Sequence, residues 1–328
     1  VRPRAFTALC AAVALALVAF ALVALAQAAG AVADATARER LSRGDITVFY
    51  RPADARPAAR ILEVAVSRGS SVAHSAGLAD LGPVTIYVAS TGDEFRALTY
   101  GGVPDWGAGC AFPDRGVIVL RNPITAPDPL HMEDVVVHEI GHIAAGRVLS
   151  GVPVPRWFHE GIAMTLAGEW RLPRSSVLAG ASASGGLIPL DELAVAFPAG
   201  AADAMLAYSE SFYAVRFLME EAGPATPAEV LFGIAAAASF EKGVEALSGR
   251  TLQVFERDAL VSFRGRFGWG VFLSRWNVMF VVVALLLLAG GAARLARSRR
   301  LLREWELEES GRSDGAYRPA RRSDSGWS

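Results

Sequence analysis

The chain has 328 residues, 52% hydrophobic and 20% charged, with a formal net charge of −1. So apolar a composition excludes a disordered chain, and so neutral a balance argues against nucleic acid as a partner, since a duplex binder needs a clustered basic face. The apolar excess is local, and its location organises the rest of the reading.

Arg2 and Arg4 precede a stretch, Ala5 to Ala33, without a charged residue. This is a basic segment followed by a hydrophobic run, and Ala26, Gln27 and Ala28 offer a cleavage site of the A-x-A type. Residues 1–29 are therefore expected to be a signal peptide or an N-terminal membrane anchor. Residues 30–270 follow as the outer domain. Between Gly30 and Arg275 the chain carries 21 basic and 27 acidic residues, a mildly acidic body. Cys110 is the one cysteine beyond the first hydrophobic run, so no internal disulfide forms there.

Within the outer domain, Ile46–Tyr50 is a short β-prone run, Ala58–Val72 reads as helix, and Val84–Ala89 is strongly β-branched. Thr91 caps a short helix ending near Thr99. A Gly-rich loop, Gly101–Gly109, leads into a further strand over Gly116–Leu120. Beyond Pro127 the signals turn helical: Pro129–Leu149, Arg156–Gly168, Leu190–Ala196, Ala202–Glu221, Ala228–Ala237 and Leu252–Phe267. The class is α+β, a small N-terminal mixed sheet with helices followed by a helical half.

A second uncharged run, residues 276–293, spans roughly 27 Å as a helix, enough to cross a hydrocarbon core. Arg294, Arg297, Arg299 and Arg300 follow it and are expected to stay cytoplasmic, which turns the outer domain to the extracytoplasmic side. The protein is then single-pass after signal cleavage, or crosses twice if the first segment is retained. Residues 294–328 hold nine Arg against six acidic residues and read as a disordered cytoplasmic tail.

The chemistry sits in His138-Glu139-Ile140-Gly141-His142, an H-E-x-x-H pattern. Asp128 and Pro129 form a good helix start ahead of it. On a helix, histidines four apart project from one face within reach of one ion. Glu139 is turned about 100° from His138, which suits a group acting on water rather than ligating the metal. With Glu133, Asp134 and Arg147 in the segment, the helix is expected to be amphipathic rather than membrane-spanning. A catalytic zinc site further needs a third protein ligand and an open position.

Downstream lies Trp157-Phe158-His159-Glu160-Gly161-Ile162-Ala163. With H-E-x-x-H, this segment resembles the gluzincin (thermolysin-like) zinc metallopeptidases, and especially the small bacterial peptidase MA-like domains. In those families Trp-x-x-Glu-Gly-x-Ala supplies a glutamate as third ligand, which the resemblance places at Glu160. The resemblance also implies Zn2+ as cofactor, a zincin-like fold, a peptide or protein substrate, and Glu139 as general base toward a zinc-activated water. Gly109-Cys110-Ala111-Phe112-Pro113 followed by Val117–Leu120 resembles the edge strand bordering the family's cleft, and the segment around Tyr208 resembles its later helix. Tyr208 is thereby expected to donate to the developing oxyanion, with Tyr213 as the second choice.

Neighbouring helix positions diverge too far for His159 and Glu160 to ligate together. Relatives often carry an acidic residue one turn after the ligand glutamate, where this chain has Met164. Another carboxylate, with Asp134, Glu133 and Asp191 as candidates, or a backbone carbonyl must then orient the histidines. Cys110 reads as a lone buried thiol, and His74 and His131 as surface residues. The alternative to a peptidase is a catalytically inactive, peptide-binding receptor or assembly factor at the cell surface. Oligomeric state is not legible.

Overall fold

A computed structural model describes residues 38–103, 107–123, 132–169, 172–198, 200–223, 225–267 and 276–313. Segment 1–29, the Asp128–Pro129 helix start, His131 and the end of the tail lie outside the described residues. The chain divides into two compact units, one through Gly268 and one from Trp269 onward.

The first unit opens with β1 (Glu39–Arg43) and β2 (Ile46–Tyr50), then α1 (Ala55–Ser75), β3 (Val84–Ala89), α2 (Gly92–Leu98), β4 (Gly109–Phe112) and β5 (Val117–Arg121). The strands form one mixed sheet in the order β1-β2-β3-β5-β4. Its centre, β2-β3-β5, is parallel, and both outer strands run antiparallel to their neighbours. Ile46, Val48 and Tyr50 alternate inward on β2, as do Val84, Ile86 and Val88 on β3. They meet Ile61, Leu62, Ala65 and Val72 of α1 in the main core. Thr91 caps α2 as expected, accepting from the Glu94 amide.

Two sheet strands carry weak sequence signals. β1, Glu-Arg-Leu-Ser-Arg, is largely exposed and forms one edge, where charge discourages further pairing. β4 is the opposite edge, whereas Val117–Leu120, which the resemblance joins to that edge strand, lies one strand in as β5, paired on both sides.

The helical half comprises α3 (Met132–Leu149), α4 (Arg156–Ala167), α5 (Leu172–Ser184), α6 (Glu192–Val195), α7 (Ala201–Glu221), α8 (Pro227–Ala235), α9 (Phe240–Ser248) and α10 (Leu252–Phe267). The fold is thus α+β as read from the sequence. α5 and α9 were not anticipated. α3 departs from the amphipathic expectation: Val136, Val137, Ile140, Ile143, Ala144, Ala145 and Val148 bury it on several faces, because it lies between the sheet and the other helices.

α4 is held by aromatic packing. Trp157 and Phe158 are fully buried, and Phe240 of the unforeseen α9 packs against both, at ring separations of 5.7 and 5.0 Å. Phe255 of α10 stacks on Trp157 at 6.1 Å. Truncating an aromatic in such a setting costs about 3–5 kcal/mol. Behind α4, a Cβ on Gly161 would collide with the Ser211 carbonyl of α7, so glycine sets how closely the two helices approach. The Trp and Gly of the motif anchor the helix that presents Glu160.

The second unit is α11 (Trp276–Ser313), a single helix of 38 residues. It continues through residues 294–313, where a disordered tail was expected. Glu–Arg composition in this stretch is compatible with helix once the preceding apolar turns have nucleated it.

Candidate active site

α3 and α4 bring the motif residues together. One ligand atom from each of His138, His142 and Glu160 lies within 4.8 Å of the others. Oε2 of Glu160 is 3.4 Å from Nε2 of His138 and 3.4 Å from Nε2 of His142. Two donors bound tetrahedrally to zinc at about 2.0–2.1 Å lie roughly 3.3 Å apart, so these separations match one shared ion better than direct hydrogen bonds near 2.9 Å. The donor set, two imidazoles and a carboxylate, is one that zinc accepts, and the spacing fits a single ion.

Nδ1 of His138 donates to Oε1 of Glu169 at 2.7 Å, which leaves Nε2 directed at the cluster. Glu169 was not among the carboxylates sought from the sequence. Glu133 instead pairs with Arg60, and Asp191 accepts from the Glu192 amide at the start of α6. Glu169 reaches His138 because α4 ends at Gly168, whose φ of +70° reverses the chain. The Glu169 amide then donates to the Met164 carbonyl at 3.0 Å. The expected acidic support is present, supplied past the helix end instead of from position 164. A Gly-Glu pair at a helix terminus was the available signal.

Burial disfavours charge on every group here, and the balance between burial and pairing differs from one to the next. Burial opposes protonation of His138, but the neighbouring Glu160 and Glu169 carboxylates outweigh that and raise its pKa well above the usual value. Burial also opposes ionisation of Glu160, yet His142 and His138 hold it well below the ordinary carboxylate range. For Glu139 the balance reverses: burial prevails over attraction to the two histidines, and its pKa is raised.

Glu139 is packed from the sheet side. A Cβ on Gly109 of β4 would lie 2.5 Å from its Oε1, so the edge strand passes directly against the carboxylate. Cys110, next along β4, is half-buried rather than buried, and burial with the nearby Glu139 and Glu160 charges pushes its thiol up to about 11.

The two tyrosines part company. The Tyr208 ring is 6.4 Å from that of His138, and burial with the Glu160 and Glu139 charges raises its pKa, keeping the phenol a proton donor. Tyr213 lies among Phe212, Phe263 and Phe267, the last at 4.6 Å, in the core. His159 stacks on His142 at 4.3 Å and lies outside the three-residue cluster. Burial and the His142 charge push its pKa down to about 3, leaving a neutral imidazole. His74 is exposed, as expected.

A family model described as the Peptidase MA superfamily matches residues 67–262. Among solved structures, native yeast LTA4 hydrolase is similar at 15% identity and a TM-score of 0.40, over 69% of this chain and 36% of that one. Yeast LTA4 hydrolase in complex with bestatin is similar at 18% identity and a TM-score of 0.39, over 70% of this chain and 36% of that one. The chain thus spans little more than a third of the length of these proteins. No curated protein matches the chain.

Proposed function

The chain belongs to the Peptidase MA superfamily, and on that premise we propose that it is a membrane-anchored zinc metallopeptidase with its active site on the extracytoplasmic side. The observation that carries this reading is the meeting of His138, His142 and Glu160 at separations suited to one ion, with Glu139 buried beside them.

In this reading His138, His142 and Glu160 hold Zn2+, which when bound polarises a scissile carbonyl and acidifies water. Glu169 fixes the His138 ring. Glu139 takes the proton of the attacking water and passes it to the leaving amine. Tyr208 donates its phenolic proton to a hydrogen bond with the developing oxyanion. β4 is an edge strand whose Gly109 lies against Glu139, and an extended peptide would add beside it as a further strand by main-chain hydrogen bonds.

The anchor is α11. Within it, Met279–Trp305 is long and apolar enough to cross a membrane. Leu285, Leu286, Leu287 and Leu288 on consecutive positions are all exposed, which in water would be costly on every face of one helix. Arg294, Arg297, Arg299 and Arg300 mark the cytoplasmic end by the positive-inside rule. Residues 1–29 serve as signal or second anchor.

The test is the Glu139→Gln chain, loaded with zinc. It is expected to bind one zinc per chain while losing peptide hydrolysis that the wild type performs. Equal hydrolysis by the two, or a wild type that binds zinc yet cleaves no peptide in a broad library, would overturn the reading, the latter in favour of a binding protein.

A further inference from the structure

Arg156 opens α4 one turn before Glu160, and its setting is unusual for a salt-bridging arginine. Its Nε is 3.8 Å from Oε1 of Glu160, beyond hydrogen-bond distance. Its guanidinium carbon sits 4.9 Å from the centre of the Phe197 ring. Phe197 in turn meets Tyr208 edge-on at 5.1 Å, and Tyr208 lies against His138. The side chain is 39% exposed, against 11% for Glu160. Among the described residues no acceptor hydrogen-bonds to this guanidinium. An arginine whose sole role was to neutralise Glu160 would close onto it. This one is held off by an aromatic face, which steadies the planar fork and leaves its donors available.

We propose that Arg156, steadied on Phe197, recognises a carboxylate of the substrate, so that the preferred peptides carry a carboxylate within one or two residues of the scissile bond. The inference rests on the peptidase reading above. Arg presents parallel N–H donors that match a carboxylate bidentately. Oε2 of Glu160 faces the histidines and its other oxygen faces Arg156, so a peptide poised over the cluster is separated from the guanidinium by roughly one or two extended residues. Glu139, Glu160 and Glu169 would repel an anionic ligand, and Arg156 is a cation placed to offset that repulsion away from the metal ligands. The carboxylate has two sources, a free C-terminus, which would make the enzyme trim chain ends, or an Asp or Glu side chain inside a longer substrate.

The experiment uses the full chain in detergent, zinc-loaded and carrying Glu139→Gln to prevent turnover. Binding is measured by calorimetry for N-acetylated pentaalanine as free acid and as C-terminal amide, and for amidated versions with Asp or Asn at each position. A carboxylate is expected to tighten binding about tenfold over its neutral counterpart, as for a charge-assisted hydrogen-bonded pair. An acid-over-amide preference assigns the C-terminus, and an Asp-over-Asn preference assigns the side chain. Adding Arg156→Gln should level the pairs with zinc content unchanged, and Arg156→Lys should restore part of the difference.

Equal binding of every pair, or a preference that survives Arg156→Gln, overturns the proposal. Loss of zinc from the Arg156→Gln chain would make Arg156 a support for Glu160 and overturn it as well. A carboxylate preference that depends on Arg156, in a protein whose wild type hydrolyses nothing, supports the proposal and overturns the peptidase reading alone.

Discussion

Nδ1 of His138 and Oε1 of Glu169 pair at 2.7 Å across 31 residues of chain. The pairing turns Nε2 of His138 toward Glu160, and a carboxylate partner raises the basicity of the imidazole as a ligand. Glu169→Gln keeps a hydrogen-bonding oxygen but loses the charge. Zinc affinity, read by competition with a chelator, should fall about 10–100-fold, with the thermal unfolding of the metal-free chain little changed. Unaltered affinity would show that the His138 ring is oriented by its packing alone.

Gly109→Ala tests the contact between β4 and Glu139. The new methyl would lie 2.5 Å from Oε1, so either the carboxylate swings away or the strand shifts. A displacement of about 1 Å in a catalytic group costs about 100-fold. We expect kcat to fall by about that factor while zinc stays stoichiometric, since no ligand atom is touched. An Ala variant with wild-type kcat would place Glu139 outside the chemistry.

Tyr208→Phe and Tyr213→Phe should separate cleanly. Removal of an oxyanion donor costs about 100-fold or more in kcat, and Tyr208 is the tyrosine beside His138. Tyr213 packs on Phe263 and Phe267, so its loss should leave kcat within about twofold and act on stability by roughly 1 kcal/mol. The reverse ranking of kcat effects would move the donor role to Tyr213.

Glu210 on α7 carries a pH dependence of folding. It is fully buried, one oxygen accepts from the Ile188 amide at 2.9 Å, and Oε2 has no partner among the described residues. Burial raises its pKa to about 8. Its folded-state value is above the unfolded value of about 4.3, so the native state holds the extra proton in between. Its stabilising contribution is complete below about pH 4.3 and is lost as pH rises through 8. Glu210→Gln, neutral throughout, should match the wild type near pH 4 and melt progressively higher than it between about pH 4.3 and 8. A constant difference in Tm over that range would refute the assignment.

Reading the chain in order located most of the sheet and the longer helices, because β2, β3 and β5 are β-branched and half-buried while α1 and α7 are long. It missed β1, whose charged residues form a solvent-facing edge held by partner hydrogen bonds rather than by burial. It missed α9, a nine-residue helix whose one large buried aromatic, Phe240, matters through contact with Trp157 and Phe158. It misjudged α3, since charged residues at the two ends of a helix do not make a polar face when its middle is surrounded.

The sequence by itself determined the local chemistry. H-E-x-x-H on a helix places two imidazoles on one face whatever surrounds them, because helical geometry is a property of neighbouring residues. Whatever depended on residues distant in the chain was decided by tertiary structure alone. Glu169, not Asp134, Glu133 or Asp191, supports His138, because Gly168 reverses the chain at the end of α4. Tyr208 borders the site while Tyr213, five residues later on the same helix, enters the core, because five residues turn a side chain by about 140°. Arg156 stands beside Glu160 against the ring of Phe197, which arrives from the segment after α6. Spacing along a chain specifies which side chains can share a face, and only packing selects which faces meet.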